Sequence, residues 1–107
     1  MATNLEKELG IVFKRPALLK EALTHSSVSH QKNNERLEFF GDAVLKLVVS
    51  EYLVGAYPDY TEGELTRVRA WLISDYALCI VAKSIDLENN VILSKAERGK
   101  AQRGKSV

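Results

Sequence analysis

The twenty residues from Asn34 to Leu53, NERLEFFGDAVLKLVVSEYL, constrain this chain more than any other stretch. Leu37, Phe40, Val44, Leu47, Val48 and Leu53 recur at three- and four-residue steps, the spacing of an apolar stripe on a helix. Glu35, Glu38 and Asp42 stand at i, i+3 and i+7, which puts three carboxylates on one face of that helix. Glu38 and Asp42 are like charges one turn apart, an arrangement that costs roughly 0.2–0.5 kcal/mol on an isolated helix. A lysine at either position would stabilise the helix. A hard divalent cation removes the repulsion another way, because Mg²⁺ takes carboxylate oxygens in near-octahedral geometry. Gly41 lies between the two acids at a cost of about 1 kcal/mol relative to alanine. A glycine there suggests a close approach to the backbone. Arg36 adjoins the acids, placed to pair with one of them or with a phosphate. The alternative reading, a solvated acidic face, stays open at this level.

ERLEFFGDAVL, from Glu35 to Leu45, resembles the signature helix of the ribonuclease III family, with Phe40 where the family usually has leucine. ALTHSS (Ala22 to Ser27) is similar to the end of the family's preceding helix. TEGELTRVRAWLIS (Thr61 to Ser74) is similar to its following one. The resemblance covers nearly the whole chain. It implies an all-α fold and Mg²⁺-dependent hydrolysis of phosphodiester bonds in double-stranded RNA, with Mn²⁺ as a substitute ion. Glu38 and Asp42 match the catalytic, metal-holding pair. Glu35 and Glu62 match secondary acidic positions. Phe39 matches the aromatic that inserts into a pocket on the partner subunit of a homodimer. RNA processing, including that of ribosomal RNA, is the implied role.

The rest of the sequence is compatible with that frame. A chain of 107 residues makes one domain, 46% of it hydrophobic, so its core is modest. A net charge of +1 does not by itself announce a polyanion partner, so any RNA contact must come from local clusters. One cysteine, Cys79 within LCIVA, excludes a disulfide within the chain and reads as a buried thiol. No signal peptide or membrane-spanning run is present, which points to the cytoplasm.

The chain divides into short helices. Asn4 to Leu9 reads as the first, capped by Asn4 and ended by Gly10. Pro16 opens a second that runs to about Thr24. The polar segment from His25 to Asn33 reads as a loop. Its histidines, His25 and His30, lack ligand spacing and read as structural. Tyr57-Pro58-Asp59 ends the long helix. Thr61 and Glu64 form a capping box for the next, with Leu65, Val68, Leu72 and Ile73 inward. Ser74 caps a further helix, Asp75 to Ile85, whose apolar surface is nearly continuous and reads as enclosed. Asn89-Asn90 signals a turn.

The tail from Lys95 to Lys105 holds five basic residues, one acid and two glycines. It reads either as a solvated loop or as a basic segment that contacts phosphates. The resemblance favours the second and nominates Lys95, Arg98, Lys100, Arg103 and Lys105. Ser106-Val107 resembles the start of the lead-in to the family's second acidic pair, an Asp and a Glu three residues apart. The expectation is therefore a partial endonuclease domain spanning residues 1–107. It would carry one carboxylate pair, no C-terminal double-stranded-RNA-binding domain, and little or no cleavage activity of its own. A non-catalytic RNA-binding or dimerisation partner is the alternative, and a plain helical interaction domain is a third.

Overall fold

Helix signals in the sequence translate directly into the order of elements in the computed structural model, which describes residues 3–99. The helices are α1 (Asn4–Leu9), α2 (Pro16–Leu23), α3 (Glu35–Ala56), α4 (Glu62–Leu72) and α5 (Asp75–Ser84), followed by a 3₁₀ turn, Leu87–Asn90. Residues 95–99 are helical as well. The described residues are thus all-α, as expected. They form no strand, only a single parallel bridge between Thr24 and Ile92.

Caps set most of these boundaries. Thr61 caps α4: its hydroxyl accepts from the Glu64 N–H, and the Glu64 carboxylate accepts from the Thr61 N–H. Ser74 accepts from the Ala77 N–H at the start of α5. For α1 the expectation needs correction. Thr3, not Asn4, is the cap, and it forms a full capping box with Glu6. Gly10 ends the helix with φ +72°, the left-handed conformation that glycine adopts without steric cost. Nothing caps α3 through the side chain of Asn34; the Asn33 Oδ1 instead accepts from the Glu35 N–H at 3.0 Å. The helix then runs three residues past Leu53 before Tyr57 and Pro58 stop it.

The start of α3 is fixed by a knot of backbone hydrogen bonds. Asn34 N–H donates to the Thr24 carbonyl, His25 N–H to Ile92, and Ile92 N–H to Leu23. Thr24 at the centre of this knot is buried. The end of α2, the first turn of α3 and the segment before residues 95–99 are thereby held together. Glu6 does similar work for the N-terminal part. Its carboxylate is buried and accepts from the N–H groups of Thr3 and Phe13, tying α1 to the link that follows it. Those two backbone donors hold its pKa below the ordinary glutamate value.

The core is much smaller than the apolar stripe predicts. Leu5, Leu19, Leu53 and Ala77 are the buried apolar residues among those described. Of the stripe on α3, Leu53 alone is enclosed, at 2% exposure. Phe40, Val44, Leu47 and Val48 face solvent, Phe40 at 68% and Leu47 at 66%. The reason is where α3 meets its neighbours. It packs against α4 through its C-terminal half, and no described element covers the apolar face of its N-terminal half. The same correction applies to α5, expected to be enclosed: Tyr76, Leu78, Ile80 and Val81 are exposed, and so is Cys79. The surface totals 8796 Å², against about 6,000 Å² for a folded chain of this mass.

Candidate active site

The first two turns of α3 leave the Thr24 knot and carry Glu35, Arg36, Glu38, Phe39, Phe40 and Asp42. Glu35 and Glu38 lie in the first turn, where the exposed N–H ends of the helix favour negative charge. Glu38 and Asp42 follow each other on one face, about 6 Å apart between Cβ atoms. Both are exposed among the described residues.

Asp42 is partnered. Lys46 Nζ lies 3.2 Å from its Oδ2, an i, i+4 ion pair with the two side chains 52% and 60% exposed. The lysine sits one turn beyond the acidic pair. It offsets the repulsion between Glu38 and Asp42 in the way that a bound cation would. The sequence reading overlooked it, although an Asp followed four residues later by Lys is a readable helix signal. Arg36, placed by the sequence to pair with an acid or with a phosphate, makes no ion pair with an acid among the described residues and lines a shallow cleft with Glu35, Phe39 and Phe40. Gly41 has open space where a Cβ would stand, so none of the described residues approaches it there.

Phe39 is the most exposed large apolar residue of the helix, at 84%. The ring is left uncovered by the other described residues. It forms a continuous apolar edge with Phe40, beside the carboxylates.

Glu62 lies elsewhere. It begins α4 and lines a pocket with Ser50, Leu53, Val54, Leu65, Thr66 and Arg69, where its carboxylate accepts from the Thr66 hydroxyl at 3.3 Å. Ser50 is about 12 Å along the helix axis from Asp42, so one copy of the chain does not bring Glu62 to the acidic pair. Arg69 donates to the Ser50 hydroxyl at 2.9 Å, and Ser50 donates to the Lys46 carbonyl at 2.6 Å. This relay fixes α4 against the middle of α3.

Among the proposed RNA contacts, Lys95 and Arg98 are exposed on the helical residues 95–99, which corrects the expectation of a loop there. The Ser94 N–H donates to Ser27 Oγ at 3.1 Å, which holds this segment beside the loop that leads into α3. Lys100, Arg103, Lys105 and the Ser106-Val107 pair lie outside the described residues. His25 is used structurally, its Nδ1 meeting the Ser27 hydroxyl at 2.8 Å and accepting from the Ser27 N–H; His30 is exposed. Among the described residues no three His, Cys, Asp or Glu side chains gather as a metal-binding group. No helix among them is long and apolar enough to cross a membrane.

The sequence matches a family model described as Ribonuclease-III-like over residues 15–107. Ribonuclease 3 of a Nitratiruptor species is 47% identical over 102 residues, covering 95% of this chain and 45% of that protein. Ribonuclease 3 of a Sulfurovum species is 46% identical over 103 residues, covering 96% of this chain and 46% of that protein. The chain thus spans less than half the length of these curated relatives. Among solved structures, the nuclease domain of ribonuclease III from Campylobacter jejuni superposes with a TM-score of 0.87 at 42% identity, over 92% of this chain and 69% of that one. That structure is described for flexibility in a region involved in dimer formation.

Proposed function

The chain belongs to the ribonuclease-III-like family, and from that premise we propose that it supplies the first carboxylate pair, Glu38 and Asp42, of a divalent-metal-dependent endonuclease acting on double-stranded RNA. The observation that carries this reading is the placement of both acids on one exposed face of α3, within the segment that resembles the family's signature.

The donor set fits Mg²⁺, with Mn²⁺ as a substitute. Mg²⁺ keeps several waters and is commonly held by one or two carboxylates together with substrate phosphates, and an exposed pair leaves room for both. When bound, the ion supplies an activated water and neutralises charge on the phosphate. Glu38 and Asp42 hold their oxygens on one face for it, and Glu35 adds negative charge one turn earlier. Two carboxylates do not fix an in-line geometry, so these residues alone cleave slowly at most. Lys95 and Arg98, beside the loop into α3, supply phosphate contacts that weaken with salt. Duplex RNA is then read through shape, phosphates and 2′-hydroxyls, with cytoplasmic ribosomal RNA precursors within the substrate class.

The exposed apolar edge at Phe39 and Phe40 is the homodimer contact in this reading. Pairing through this edge would bring the carboxylates of two copies near one another. A second reading is a non-catalytic partner that binds RNA or pairs with a complete subunit. It is favoured by the ion pair between Lys46 and Asp42, which gives one acid a partner other than a metal.

Incubation of the purified chain with long duplex RNA, in Mg²⁺ and in EDTA, distinguishes them. Cleavage that needs Mg²⁺ and vanishes with Glu38→Gln supports the enzyme. Duplex binding that Mg²⁺ strengthens and Glu38→Gln reduces also supports the enzyme, because one carboxylate pair cleaves slowly at most. Binding indifferent to Mg²⁺ and to Glu38→Gln supports the partner. Neither binding nor cleavage refutes both.

A further inference from the structure

Lys46 sets a positive charge beside one member of the acidic pair. Its ammonium is 3.2 Å from Asp42 Oδ2, on the side of the acidic pair away from the helix N-terminus. The pair is more than half exposed, so the ammonium is free to swing into solvent. We infer that Lys46 is an internal counter-cation: it neutralises Asp42 in the metal-free chain, gives way when a divalent ion binds, and thereby sets the affinity of the site. The inference rests on the proposed metal-binding role of Asp42 and goes beyond it, because it assigns a tuning function to a residue that is not itself a ligand.

The magnitude follows from charge and distance. A divalent ion bound to Asp42 would lie about 5 Å from an ammonium that stayed in place. Even in water-like dielectric the repulsion there corresponds to about tenfold in affinity. Ionic screening at physiological salt, and the lysine's freedom to swing away, reduce this to about fivefold. The lysine therefore holds the site weak in the absence of other ligands. Substrate phosphates add negative charge and offset that penalty, so the ion is retained mainly when RNA is present.

The test is Mn²⁺ binding to the full chain, followed by loss of the free-ion electron paramagnetic resonance signal, with circular dichroism confirming helical content in every variant. Lys46→Met keeps the length of the side chain and removes its charge; it should tighten Mn²⁺ about fivefold, and the gain should shrink at high salt. Lys46→Arg keeps the charge and should stay within about twofold of the parent. A Lys46→Met affinity indistinguishable from the parent, or an equal gain in Lys46→Arg, overturns the inference while leaving the carboxylate site intact. If the parent shows no Mn²⁺ binding that Asp42→Asn removes, the metal-binding role of Asp42 fails, and the inference falls with it.

Discussion

Leu53 and Leu47 lie on the same helix less than two turns apart, and they play opposite roles. Leu53 is 2% exposed and lines the α3–α4 contact with Leu65, Val54 and Arg69. Leu53→Ala removes about three buried carbons, roughly 2.4 kcal/mol of transfer free energy, and leaves a cavity that α4 fills only in part. The expected loss is about 3 kcal/mol. For a chain of this length, total stability near the low end of the usual range is about 5 kcal/mol, so this one change removes most of it. In thermal terms it is a drop of about 12–24 °C. Leu47, 66% exposed, should lose under about 0.5 kcal/mol on the same substitution. Urea unfolding followed by far-ultraviolet circular dichroism measures both, at two protein concentrations about tenfold apart so that self-association shows as a shift. A Leu53→Ala loss below about 1 kcal/mol refutes the small core described above. A Leu47→Ala loss as large as that of Leu53→Ala at both concentrations refutes the claim that the face of Leu47 is uncovered within one copy.

Three further outcomes are expected. Gly41→Ala, with open space at its Cβ, should raise monomer stability by about 0.5–1 kcal/mol, and a loss in thermal unfolding would mean that something does approach its backbone. Glu6 has a pKa below the ordinary glutamate value, so its contribution is full at neutral pH and is lost as pH falls from about 4.3 through its folded-state value. The stability gap between parent and Glu6→Gln, measured by thermal unfolding from neutral to strongly acidic pH, should therefore narrow with acidification, and a constant gap would contradict the role of the two backbone donors. Phe39→Ala should weaken self-association at least about tenfold in sedimentation while leaving monomer unfolding unchanged, because the ring touches little in its own chain. Unaltered self-association would remove Phe39 from the interface.

Local chemistry was readable in the sequence wherever it acts over three or four residues. The Thr61–Glu64 capping box, the Ser74 cap, Pro16 at the start of α2 and the stop at Tyr57-Pro58 all depend on neighbours along the chain. The two acids on one face of α3 belong to the same class. What was not readable depends on partners. An apolar stripe says that a helix has something to bury, and it does not say against what. Leu53 finds α4, whereas Phe40, Leu47 and the apolar side chains of α5 find no cover among the described residues. The buried thiol that the sequence predicts at Cys79 is exposed for that reason. The backbone knot at Thr24 was invisible because it joins residues far apart in the chain through groups that every residue carries. Lys46 differs from these. Its pairing with Asp42 was legible at i, i+4, but the reading of the acids as ligands hid the cation already beside them.

The claim that Glu38 and Asp42 are working carboxylates of a nuclease is tested most directly by transplantation. The matching segment of the Campylobacter jejuni nuclease domain, a close structural counterpart, would be replaced by the corresponding residues of this chain. Cleavage of long duplex RNA would then be measured in Mg²⁺ and in EDTA, against the unaltered domain. The account predicts Mg²⁺-dependent cleavage by the chimera that disappears with Glu38→Gln and with Asp42→Asn. A folded, dimeric chimera that leaves the RNA intact, or one that cleaves equally well without either carboxylate, would contradict it.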